Sequence, residues 1–127
     1  MAVRSRNLDA LTTVEVLAPT AVTAAVDTTA VDLSAFDDDV LLVLQAAGSG
    51  AGNTMQCKVQ HGDESNGSDA EDVAGAVFPE LGENAYCEGL RIKKGDLKKY
   101  IRLSFHTEGG TYSAAASCTA VGLLPRR

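Results

Sequence analysis

The chain has 127 residues, enough for a single domain with its own core and without metal or disulfide staples. Hydrophobic residues make up 45%, aromatics only 5%, and Trp is absent. The core must therefore come from Val, Leu, Ile and Ala, which suits two closely packed sheets, and a formal net charge of −6 argues against non-specific binding to nucleic-acid phosphates.

Residues 1–12 are mixed and weakly patterned. They read as an extended arm with a helical turn over residues 7–11. Two arginines, Arg4 and Arg6, are followed by no hydrophobic stretch, so the segment is not read as a secretory signal. Residues 13–17 (TVEVL) have strand composition, interrupted by Ala18 and Pro19. Residues 20–26 are small and β-branched, an edge segment, and residues 29–33 form a further short strand. Residues 34–39 (SAFDDD) make a turn, with Phe36 folded back as an anchor and Asp37, Asp38 and Asp39 bonding their own backbone.

Residues 40–46 are apolar on both faces and read as a central strand covered from two sides. The glycine-rich stretch 48–52 follows, and then residues 54–61 alternate, with Met55, Cys57 and Val59 on one face. The expectation is an antiparallel hairpin. Residues 62–69 (GDESNGSD) are a polar loop, and residues 73–78 are a short apolar segment stopped by Pro79. Residues 86–92 are a strand in which Gly89 marks a bulge. Residues 99–106 (KYIRLSFH) place Ile101, Leu103 and Phe105 inward. A Gly-Gly hairpin turn over residues 108–110 leads into a long last strand, 112–123, with Ala114, Ala116, Cys118 and Ala120 on one face. The predicted fold is all-β: an antiparallel β-sandwich or jelly-roll of about seven to eight strands over residues 13–123. An extended N-terminal arm, 1–12, precedes it and a C-terminal tail, 124–127, follows.

Three cysteines without short spacing, Cys57, Cys87 and Cys118, argue against a disulfide framework or a zinc site. All three read as small, buried thiols in strands; a pairing such as Cys57 with Cys118 across a sheet stays open. No apolar run reaches about 18 residues, so no transmembrane helix is expected. The acidic loop with Asp63, Glu64, Asp69, Glu71 and Asp72 lacks the spacing of a calcium loop. His61 and His106 come with no nucleophile elbow, and the glycine turn lacks the Lys-Ser or Lys-Thr of a phosphate loop. No cofactor, no metal and no catalytic group are expected. The basic run around Lys93, Lys94, Lys98 and Lys99 contains one aromatic, Tyr100, too few for a stacking platform. It reads either as a docking rim for an acidic protein surface or as a charged edge that blocks strand pairing.

Certain stretches resemble a known family. VDLSAFDDDVLLVL at residues 31–44 and LKKYIRL at residues 97–103 are similar to motifs of tailed-bacteriophage capsid decoration, or cement, proteins. An acidic loop and DVAGAVF lie between them and a PRR ending follows, so the resemblance runs over residues 13–127. The chain departs from that pattern at His61 and Gly62, which intervene before the acids, and at Ala35, where the family often has Gly. The resemblance implies a structural, non-enzymatic virion protein that binds the outer surface of an assembled phage capsid and stabilises contacts between its subunits. The implied partner is the major capsid protein, and a homo-oligomer, with a trimer favoured, is implied as well. Nucleic acid and membrane are not implied as partners. The expected location is the capsid surface of a virion assembled in host cytoplasm. Residues expected at the interface are Val3, Arg4, Arg6, Leu8 and Leu11 of the arm, Lys93, Lys94, Lys98 and Lys99 of the basic rim, and Leu124, Arg126 and Arg127 of the tail. The alternative is a phage tail or surface-binding module that recognises a host receptor or glycan, although stacking aromatics for sugar are missing.

Overall fold

The structure, a computed structural model, describes residues 11–34, 36 and 39–123. Nine strands follow in order: β1 (Leu11–Val22), β2 (Val26–Asp27), β3 (Val31–Asp32), β4 (Val40–Ala46), β5 (Thr54–Gly62), β6 (Glu71–Val77), β7 (Tyr86–Ile92), β8 (Tyr100–Gly109) and β9 (Ala114–Leu123). One 3-10 turn, Lys94–Asp96, lies between β7 and β8.

The strands form two antiparallel sheets. One has the order β1-β9-β4-β7; in the other, β6 pairs β5, β5 pairs β8, and both β2 and β3 pair β8. Pairing is nested: β1 with β9, β2 and β3 with β8, β4 with β7, and β5 with β6. The chain is in effect one long two-stranded ribbon, folded at the β5–β6 loop and rolled so that successive pairs fall in alternate sheets. That is the jelly-roll arrangement, and the predicted all-β sandwich or jelly-roll is what the chain forms.

Alternation puts the core where the pattern placed it. Val40, Leu42, Leu44 and Ala46 of β4 and Ala114, Ala116, Cys118 and Ala120 of β9 are buried on one inner face. Met55, Cys57 and Val59 of β5 and Ile101, Leu103 and Phe105 of β8 are buried on the other. Three alanines along β9 give the larger side chains of the facing sheet room to interdigitate. Phe36 is fully buried, as anticipated, with Phe78, Leu81 and Tyr112 also filling the interior.

Rolling overturns several local expectations. Residues 40–46 and 54–61 do not form a hairpin: β4 pairs β7 and β9, and β5 pairs β6 and β8. The 108–110 segment is likewise a crossing between sheets, because β8 runs to Gly109 and β9 lies opposite. The first strand begins at Leu11 and continues to Val22, through Pro19, with register shifts between Glu15 and Leu17 and between Leu17 and Thr20. Leu11, read as the end of a helical turn, is thus extended; residues 7–10 lie outside the described residues. Strand β4 is central but covered on one face only, since Leu41 on its other face is 39% exposed. Gly89 sits in regular register opposite Val43 and marks no bulge. Cys87 is exposed, not buried, because β7 is an edge strand and this residue faces outward; Cys57 and Cys118 are buried free thiols in opposite sheets.

Candidate interaction surface

Leu11 and Leu123 pair with each other beside the start of β4, at one end of the sandwich. The same end carries the β3–β4, β5–β6 and β7–β8 connections, which contain most of the charge outside the strands. The whole chain is acidic at −6, yet the polarity is uneven. Residues 11–123 hold seven Lys and Arg against sixteen Asp and Glu, a net of −9, whereas residues 1–10 and 124–127 hold four Arg against one Asp.

The basic rim is less free than the sequence implies. Lys98 Nζ lies 3.0 Å from a Glu71 carboxylate oxygen, which raises its pKa. The Lys98 backbone N–H donates to His61 Nδ1 at 3.1 Å. Lys94 Nζ donates to the Phe36 carbonyl, and Lys99 Nζ sits 5.4 Å from the Tyr100 ring centroid, within cation–π range. Lys93 is exposed. The four lysines are brought to one end but sit in the connection between β7 and β8, so they shield no strand edge. Leu11 is 41% exposed at the start of β1. Val3, Arg4, Arg6, Leu8, Leu124, Arg126 and Arg127 lie outside the described residues.

Acidic groups are used to build loops. The Asp69 carboxylate accepts from the Asp63 and Glu64 backbone N–H groups at 2.9 and 3.1 Å, and these bonds lower its pKa. His61 has its Nδ1 occupied as an acceptor, and its Nε2 lies 3.9 Å from a Glu71 carboxylate oxygen. Among the described residues no group of three His, Cys, Asp or Glu side chains is placed to hold a metal ion.

The two outer faces differ. On the β8–β5–β6 sheet a polar chain runs from strand to strand. Ser104 Oγ donates to Asp27 at 2.7 Å, and Arg102 lies 3.4 Å from the same carboxylate. Arg102 Nε donates to Gln60 Oε1 at 2.9 Å, and Gln60 Nε2 donates to Asp72 at 2.8 Å. Lys58 completes the run, 3.0 Å from Asp72, and Gln60 and Lys58 hold the Asp72 carboxyl below its usual pKa. That face satisfies its own polar groups. The opposite outer face is smaller in side chain and more apolar: Thr13, Val121, Leu41 and Arg91 form one cross-strand row, and Glu15, Thr119, Val43 and Gly89 the next. Two grooves follow the open seams between the sheets, one of about 520 Å³ between β6 and β7 and one of about 550 Å³ between β1 and β2. Sequence reasoning missed both seams and the exposed β7, since each depends on which strands end a sheet.

No family model and no curated protein matches the chain. Solved structures do. Structures of T=1 particles derived from infectious bursal virus share the fold with a TM-score of 0.57 and 14% identity over 90% of this chain and 31% of that one. A VP2 subviral particle of infectious bursal disease virus gives 0.53 and 14% over 90% and 33%. The particle of the same virus gives 0.53 and 16% over 90% and 31%. The chain therefore spans about a third of the length of these neighbours, and at such identities the likeness is one of fold. None of these neighbours is a tailed-phage decoration protein.

Proposed function

We propose that the chain is a non-enzymatic structural protein of a virus particle, and that it acts as a decoration or cement protein on the outer surface of an assembled shell. The observation that carries this reading is the likeness of fold, over 90% of the chain, to a VP2 subviral particle structure. The motif resemblance over residues 31–44 and 97–103 supports the decoration role, and the major capsid protein is then the partner. The physical logic is linkage: a protein that binds only the assembled shell shifts the equilibrium toward assembly. Contacts that straddle several shell subunits add buried area across their boundaries. A trimer multiplies that effect through its linked sites. In this reading Lys93 and the arginines of the arm and tail meet an acidic shell.

The test is cosedimentation of the purified chain with assembled tailed-phage heads stripped of their own decoration protein, followed by thermal release of the packaged DNA. Saturable binding and a raised release temperature are expected. Binding to host cells or glycans with no affinity for heads would overturn the reading in favour of a receptor-binding module.

A further inference from the structure

The two sheets have four edges, and three are defended against further pairing. Strand β1 contains Pro19 and two register shifts, and both devices discourage an added strand. Strand β6 shifts register against β5 and holds Gly75 at φ +75°. The edge beside β8 is divided between β2 and β3, two residues each. Strand β7 is different. Its seven residues pair with β4 without a shift, from Val40 with Ile92 to Ala46 with Tyr86. It contains no proline and no lysine, and among the described residues no strand lies beyond it. Every second residue of an edge strand turns its N–H and C=O away from the sheet, so β7 presents a row of them to whatever lies alongside.

We propose that β7 pairs with β7 of a second copy, antiparallel and about a two-fold axis at Gly89, so that two four-stranded sheets join into one of eight strands. The strand fits itself. Such an axis stands perpendicular to the sheet and keeps its faces matched, so it falls on a residue and not between two. On Gly89 it pairs all seven residues: Tyr86 opposite the partner's Ile92, Cys87 opposite the partner's Arg91, and Glu88 opposite the partner's Leu90. An axis on Leu90 pairs only five of the seven, one on Glu88 opposes two carboxylates, and one on Arg91 opposes two guanidiniums. The centred register opposes no like charges, and the strand itself is neutral in a chain of net charge −6. Tyr86 and Ile92 share the core side with Ala46 and Val40, so each end of the overlap gains an aromatic–β-branched pair. At the axis Gly89 presents no side chain. Leu41 leans over it, since a Cβ there would stand 3.1 Å from Leu41 Cδ1, and the incoming strand covers part of this exposed leucine. The two Glu88 residues lie diagonally across the axis, roughly 7–8 Å apart, and their repulsion is what the register costs. The contact is isologous and closes at two copies. It is separate from the trimer and does not rest on the functional reading.

Arg91→Cys sets a thiol opposite the partner's Cys87, which is exposed, and the symmetric pair recurs across the axis. Within one chain positions 87 and 91 lie roughly 13 Å apart along the strand, beyond the reach of a disulfide. Mildly oxidised and run on a non-reducing gel, the full-length variant should give covalent dimers and nothing larger. Cys87→Ser in the same chain should abolish them. Sedimentation equilibrium of reduced protein follows the contact without a disulfide. Glu88→Gln should tighten the dimer several-fold, and Gly89→Lys, which opposes two ammonium groups, should weaken it about tenfold; far-UV circular dichroism checks that both variants fold. Absence of dimers by both methods, a ladder of larger covalent species, cross-links that survive Cys87→Ser, or cross-links to a shell protein alone would overturn the proposal. Head binding is measured separately on reduced protein. Dimers lost with binding intact remove this inference alone, and binding lost with dimers intact removes the functional reading alone.

Discussion

The three thiols report directly on which strands share the interior. Cys57 of β5 and Cys118 of β9 face one another's sheet, 0% and 1% exposed. Burial pushes Cys118 up to about 12 and raises Cys57 further, with Cys118 adding to the effect on Cys57. Cys87 stands in solvent on β7, its sulfur 3.7 Å from the Gln45 amide nitrogen. Only the thiolate reacts, so the raised pKa of Cys118 by itself slows its labelling at about pH 8. Exclusion of the reagent slows it again, because the interior opens only through unfolding against a stability on the order of 5–15 kcal/mol. Labelling with a maleimide at pH 8, followed by mass spectrometry, should give one fast adduct per native chain and three in guanidinium. Cys87→Ser should remove the fast adduct. Fast native labelling of Cys57 or Cys118 would refute the packing of β5 against β9.

Buried Cys57 and Cys118 also weaken the fold in alkali. Their folded pKa values lie above the unfolded ones, so the contribution is complete below about pH 9 and is lost as unfolded thiols ionise above it; each costs about 1.4 kcal/mol by pH 10. Denaturant titrations at pH 8 and pH 10 check this, and equal stabilities would contradict it. Leu42→Ala, at a fully buried site on central β4, should cost about 2–5 kcal/mol, while Leu41→Ala on the open face should cost less than about 1 kcal/mol; thermal melts of the pair separate the two faces. Gly122→Ala would bring its Cβ to 2.6 Å from Phe36 Cδ1 and 3.3 Å from the Asp39 carbonyl oxygen. Overpacking of about 1–3 kcal/mol is expected, and a melt unchanged from the wild-type chain would argue that Phe36 packs elsewhere.

The candidate site was only partly readable before the fold was known. Lysines at 93, 94, 98 and 99 stand out as a basic run, and they do gather at one end. That Lys98 is held by Glu71 and Lys94 by the Phe36 carbonyl depends on loops brought together from residues 27 and 58 positions away. The importance of β7 was invisible for the same reason. Its sequence, YCEGLRI, reads as an ordinary strand, and only the sheet order makes it an undefended edge.

What each strand shows to the interior was already written in the amino-acid order. Met55, Cys57 and Val59, or Ile101, Leu103 and Phe105, share a face through local geometry alone, because side chains alternate along any extended backbone. Partnership between strands is another matter. Backbone hydrogen bonds are alike for every pair, so nothing in residues 40–61 distinguishes a hairpin from two strands that part company. The choice fell to the burial of two apolar faces at once, which the chain achieves by rolling its paired strands and joining Leu11 to Leu123 across almost its whole length.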